Sequence, residues 1–205
     1  MISNKEALKR LCEGNNRFVS DSSIFNNTFS HKSRCHSLTD NQSPFAIILG
    51  CSDSRVPAEI IFDQGLGDLF VIRVAGNIVA ASQIGSVEFA VENFGTQLVV
   101  IMGHSKCGAI LAALDELKSP SKNQSNNLNS IVNRILPSLT PLLKINKNQD
   151  ILIQEAVRAN IRSSVHKLKH SSIILEKLIK KKKLYIIGAE YSLDTGIVTF
   201  FDKLP

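Results

Sequence analysis

The sequence predicts an α/β fold: a mostly parallel central sheet flanked by helices, led by a helical arm and closed by a C-terminal edge strand. Three observations predict it. Short apolar runs rich in branched residues recur at 45–49, 69–74, 97–102 and 184–189. They are continuous rather than alternating, as strands covered on both faces are. Stretches with helical spacing of apolar residues separate most of them, and crossovers of that length join parallel neighbours.

Residues 4–19 read as an amphipathic helix capped by Asn4, with Ala7, Leu8, Leu11 and Phe18 on one side. Cys12 falls on that side and reads as a small core residue. Residues 20–43 are rich in Ser, Asn, His and Thr. With the helix they make an arm, 1–43, too poor in apolar residues for its own core. It must drape over its own domain or a partner subunit. A single α/β domain follows over 44–205. Pro57 suits the first turn of a short helix at 58–62. A helix is expected over 82–94, ended by Gly95, and another over 107–118. Residues 119–127 read as a surface connection. From 128 to 181 the pattern is helical, broken at Pro137 and Pro141, with Ile151, Ile153, Ala156, Val157, Ile161, Val165 and Leu168 on one apolar face. Two strands joined by a turn at 194–196 close the chain.

The 205 residues are 43% hydrophobic and 20% charged, ordinary for a soluble domain. No window approaches a membrane span. The leading residues hold no apolar core of a secretory signal, so a cytoplasmic setting is expected. Net charge is +6, much of it in Lys177, Lys180, Lys181, Lys182 and Lys183. That cluster reads as a solvated helix end complementing its dipole. No nucleic-acid or membrane partner is expected.

Chemistry concentrates at two strand ends. FAIIL (45–49) runs into Gly50 and then Cys51, Asp53 and Arg55. QLVVIM (97–102) runs into Gly103, His104 and Cys107. Parallel strands would bring both ends to one carboxyl-terminal edge, where open α/β sheets keep their sites. Cys51, His104 and Cys107 then offer a Cys2His set to zinc, with Asp53 or water in the fourth position. Two thiolates cancel the charge of the ion, so a water bound there is less acidified than on three histidines. Arg55 can grip Asp53 bidentately and keep it ionised and off the metal. Asp53 can then orient zinc-bound hydroxide toward a substrate. Other readings of the same residues stand beside this one. An Asp–Arg pair is often a plain salt bridge. Zinc can be structural, although closed sites usually take more cysteines in loop-rich modules. Two thiols at one edge can form a disulfide, but there is no Cys-x-x-Cys, and His104, Asp53 and Arg55 are then left without roles. Cys35 with His36 is a weak metal signal.

The pair CSDSRV (51–56) and GHSKCGA (103–109) resembles the two signatures of the β-class carbonic anhydrases. Residues 57–77, 85–95 and 188–201 are similar to that family's following segment, next helix and closing hairpin. The resemblance covers roughly 42–201. It implies one zinc ion per subunit on Cys51, His104 and Cys107, with Asp53 as exchangeable fourth ligand and Arg55 its partner. It implies reversible hydration of carbon dioxide to bicarbonate and a proton. Gln42 matches a glutamine that hydrogen-bonds substrate, and Phe70 an aromatic pocket wall reached from the other subunit of a dimer. Ala75 stands where members often have Val, and Phe89 where they have Tyr. It also implies a homodimer, alone or as a dimer of dimers, with the leading arm packed on its neighbour. Relatives of the same fold that hydrolyse carbonyl sulfide or carbon disulfide, and an idle zinc scaffold, are the alternatives. His31 and His36 are candidates for proton relay if the arm folds near the site.

Overall fold

The computed structural model describes residues 2–24, 41–120, 125–144 and 148–201. His31, Cys35 and His36 lie outside these. The elements in chain order are α1 (Asn4–Val19), β1 (Ala46–Gly50), α2 (Ala58–Ile61), β2 (Leu69–Arg73), a 3-10 turn (Ala75–Asn77), α3 (Ala81–Phe94), β3 (Leu98–His104), α4 (Gly108–Lys118) and α5 (Asn126–Leu139). A second 3-10 turn (Thr140–Lys144), α6 (Gln149–His170), α7 (Ile173–Lys180), β4 (Tyr185–Tyr191) and β5 (Val198–Phe200) complete them.

The five strands among the described residues form one sheet in the order β2-β1-β3-β4-β5. All neighbours are parallel except β4 and β5, so the expected antiparallel edge strand is present. Every residue of β1 and β3 is buried, as continuous apolar runs require when helices cover both faces. Gly103 lets α6 press on β3: a Cβ there would stand 2.6 Å from Ile161 Cδ1. This close contact falls one residue before His104. Gly95 ends α3 at φ 63°, a left-handed cap that donates its N–H to the Val91 carbonyl.

Several local expectations are corrected. Ser3, not Asn4, caps α1, accepting from the Glu6 N–H at 3.2 Å. Pro137 does not break the helix; it lies inside α5 near its end. There the Ser138 and Thr140 hydroxyls donate to the carbonyls of Ile135 and Leu136. Ile151 departs from the expected apolar face and is exposed, and Cys12 is only half-buried.

α1 is seated on its own domain. Ala7, Leu11, Gly14 and Asn15 are buried. Asn15 is the polar pin: Nδ2 donates to the Ile61 and Gly196 carbonyls at 3.2 and 2.9 Å, and Oδ1 accepts from the Val198 N–H at 2.8 Å. Arg17 pairs with Asp63 at 2.5 Å, and Arg10 with Asp68 at 2.9 Å. Among the described residues no helix is long and apolar enough to cross a membrane.

Replacing Asn15 leaves two carbonyls and one N–H unpartnered in a buried place. Asn15→Ala is expected to lower unfolding free energy by about 2 kcal/mol or more, read as a lower urea midpoint with unchanged slope.

Candidate metal centre

The chain runs from β1 to β2 on one side and then to β3 on the other, so the strand order reverses between β1 and β3. Open α/β sheets hold ligands at such a switch point, beyond the carboxyl ends of the strands. Gly50 pairs with Met102 there. Cys51 is the first residue past β1, His104 the last of β3, and Cys107 the N-cap of α4. The apolar run ends at Met102 in the sequence, but the strand extends through His104, which pairs with Tyr191 of β4.

The three side chains are buried and their ligand atoms lie within 4.8 Å of one another. The sulfurs of Cys51 and Cys107 are 4.0 Å apart. His104 Nδ1 is 2.9 Å from the Ser105 carbonyl oxygen. A carbonyl only accepts, so Nδ1 carries the proton and Nε2 presents a lone pair. That Nε2 is buried and has no hydrogen-bond partner. An orphaned buried acceptor beside two sulfurs is what a metal-ligating imidazole looks like, its other nitrogen held by a carbonyl. The donor set suits zinc. The Gly76 N–H points at Cys51 Sγ from 3.4 Å. In the thiol pair, the hydrogen bond from Cys107 favours the Cys51 thiolate and lowers its pKa, while the same contact raises that of Cys107.

Asp53 and Arg55 face each other in the loop after β1. Arg55 donates from Nε to Oδ1 at 2.9 Å, from Nη2 to Oδ2 at 2.7 Å and from its backbone N–H to Oδ1 at 3.0 Å. The guanidinium holds the Asp53 carboxyl well below the usual carboxylate range. Asp53 Oδ2 also stands 3.8 Å from His104 Nε2, so the carboxylate borders the ligand cluster.

Arg73 escaped the sequence reading. At the end of β2, it donates from Nε to the Cys51 carbonyl at 2.9 Å and from Nη2 to the Asp53 carbonyl at 2.5 Å. It ties the backbone of a ligand and of the neighbouring acid to the adjacent strand. The available signal was a charged residue closing an otherwise apolar run at the same sheet edge.

Residues 46–198 match the family model described as carbonic anhydrase. The solved structure of the β-carbonic anhydrase CcaA superposes with a TM-score of 0.76 at 26% identity, covering 96% of this chain and 88% of its own. The chain belongs to the β-carbonic anhydrase family. A carbonic anhydrase 2 of Mycobacterium tuberculosis is 35% identical over 199 residues, covering 97% of this chain and 93% of the relative. A carbonic anhydrase of Mycolicibacterium smegmatis is 37% identical, with 94% and 90% covered.

Within one chain of this carbonic anhydrase, the expected pocket residues divide. Ala75 adjoins the cluster, directly before Gly76 in the 3-10 turn. Phe70 pairs with Ile47, roughly 13 Å back from Cys51 at ~3.3 Å per strand residue. Gln42 is exposed and precedes β1, so it lies toward the opposite edge of the sheet. Phe89 is 51% exposed. It joins Phe70 and Phe94 in an aromatic cluster, with ring centroids 5.7 to 6.2 Å apart. Phe94 was not anticipated in that role.

The Asp53–Arg55 pair has a pH signature. A carboxyl whose folded pKa is depressed favours folding above its unfolded pKa of about 4, and that contribution fades as pH falls toward the folded value. The stability gap between wild type and Arg55→Ala is therefore expected to be constant above about pH 5 and to narrow progressively below about pH 4, read by urea unfolding across that range.

Proposed function

We propose that this carbonic anhydrase reversibly hydrates carbon dioxide to bicarbonate and a proton, using one zinc ion per chain held by Cys51, His104 and Cys107. The observation that carries the proposal is the buried, unpartnered Nε2 of His104 between two cysteine sulfurs, with an arginine-clamped carboxylate 3.8 Å away. When bound, zinc would supply a Lewis acid that makes water nucleophilic near neutral pH.

The rest of the chemistry falls to the chain. Arg55 keeps Asp53 ionised by occupying both carboxylate oxygens. Oδ1 accepts two Arg55 N–H groups and Oδ2 one, so Oδ2 keeps a lone-pair site through which Asp53 can accept a hydrogen bond from the attacking water and fix its orientation. The same clamp restrains Asp53 from the fourth coordination position; its release would let the carboxylate close the site. Ala75 and the apolar ends of β1 and β3 suit a small linear substrate without a permanent dipole.

Gln42, Phe70 and Phe89 belong to this reading only if a second copy supplies them, because their own chain holds them away from its cluster. The proposed assembly is therefore a homodimer, alone or paired again, in which each pocket is lined from both subunits. The aromatic cluster of Phe70, Phe89 and Phe94, in which Phe89 is exposed and the other two are partly buried, supports it. The outer face of α1 is proposed to lie against the partner; most of the arm that follows it is outside the described residues.

Stopped-flow carbon dioxide hydration on metal-analysed protein tests the chemistry. Cys51→Ser is expected to lose both zinc and activity. Asp53→Ala is expected to keep zinc and lose on the order of 10²-fold or more in kcat. Full zinc with no hydration in the wild type would overturn the reading. For the assembly, Phe89→Asp is expected to shift sedimentation toward monomer and depress activity with zinc retained. A fully active monomer would refute the shared pocket.

A further inference from the structure

α6 begins beside the metal centre, where Asp150 and Ser105 border a common cavity. It ends 20 residues later, roughly 30 Å away at ~1.5 Å per residue. At that far end His166 and His170 stand one turn apart, on the same helix face. Their ring centroids are 4.6 Å apart and the planes are inclined by 48°. Both border a cavity of about 580 Å3, lined also by Arg162, Val165, Lys169, Gly188 and Phe201. The chain then turns at Ser171 and Ser172 into α7, which brings Glu176 Oε1 to 4.0 Å from His170 Nδ1. The carbon dioxide chemistry uses none of these groups.

We propose that His166 and His170 form a second metal site, for a divalent transition ion of the copper, nickel and zinc group. Two imidazoles at positions i and i+4 of a helix can chelate one ion, and imidazole suits these metals. Glu176 places a negative charge near the His170 ring, beyond direct hydrogen-bond reach. Glu176 divides its charge, since its other oxygen lies 3.9 Å from Lys180 Nζ. Arg162 lies over the Phe201 ring, 5.2 Å from its centroid. Arg162 and Lys169 oppose a bare dication and favour an anion in the coordination positions that the protein leaves open. The site is therefore weaker than the Cys51–His104–Cys107 centre, and its metal exchanges.

Calorimetric titration of the zinc-loaded enzyme with Ni2+, in a non-coordinating buffer and with zinc measured afterwards, tests the proposal. One Ni2+ per chain is expected to bind with the zinc retained. His166→Gln and His170→Gln are each expected to abolish that binding, and Glu176→Gln, which removes the nearby negative charge, to weaken it a few-fold. Carbon dioxide hydration by the zinc-loaded protein is expected to stay unchanged in all three variants. Ni2+ binding that persists in both histidine variants would overturn the proposal. So would a wild type that takes up inorganic phosphate at this cavity but no Ni2+.

Discussion

Parallel pairing of β1 with β3 is the constraint on which the rest depends. Ile47 to Gly50 lie rung by rung against Val99 to Met102. That register delivers Cys51 and His104 to one edge from segments more than fifty residues apart in the chain. It is hard to slip, because both strands are buried on both faces and packed by helices. A shift of one residue would turn every side chain to the opposite face. It would also carry the Gly103 backbone away from Ile161, for which it leaves room. Core packing and ligand geometry are thus one specification.

The loop that follows β1 is held from two directions. Arg73 takes the Cys51 and Asp53 carbonyls from the β2 side, while Arg55 takes the Asp53 carboxylate from within the loop. One arginine fixes backbone and the other fixes charge. Neither is buried, so each holds its partner through charge-assisted geometry rather than through burial. The His104 ring is fixed by a different device, a single hydrogen bond to the next residue's carbonyl. It costs the sequence no additional side chain.

What could be read from the sequence follows from the range of each interaction. The strands were legible because burial on both faces writes itself as an unbroken apolar run. The ligands were legible because Cys, His and Asp are conspicuous directly after such runs. Arg73 and Asn15 were not, since their roles are hydrogen bonds to backbone groups supplied by distant segments, and a backbone group carries no residue-type signal. Pro137 misled for a local reason: near the end of α5 its missing N–H removes one hydrogen bond without ending the helix. Ile151 misled because helical spacing marks a face without showing how far that face is covered; the first turns of α6 rim an open cavity instead. Gln42, Phe70 and Phe89 share one sheet end rather than one pocket within the chain. The proposed pocket therefore draws them from a second copy.

The central claim is that two sulfurs and one imidazole from the switch point hold a single zinc ion. X-ray absorption at the zinc edge of the purified protein tests it most directly. The account predicts two sulfur scatterers at ~2.3 Å and one imidazole nitrogen at ~2.0–2.1 Å, with one light atom completing a four-coordinate shell. A shell without sulfur, or one of three or four sulfurs, would contradict it.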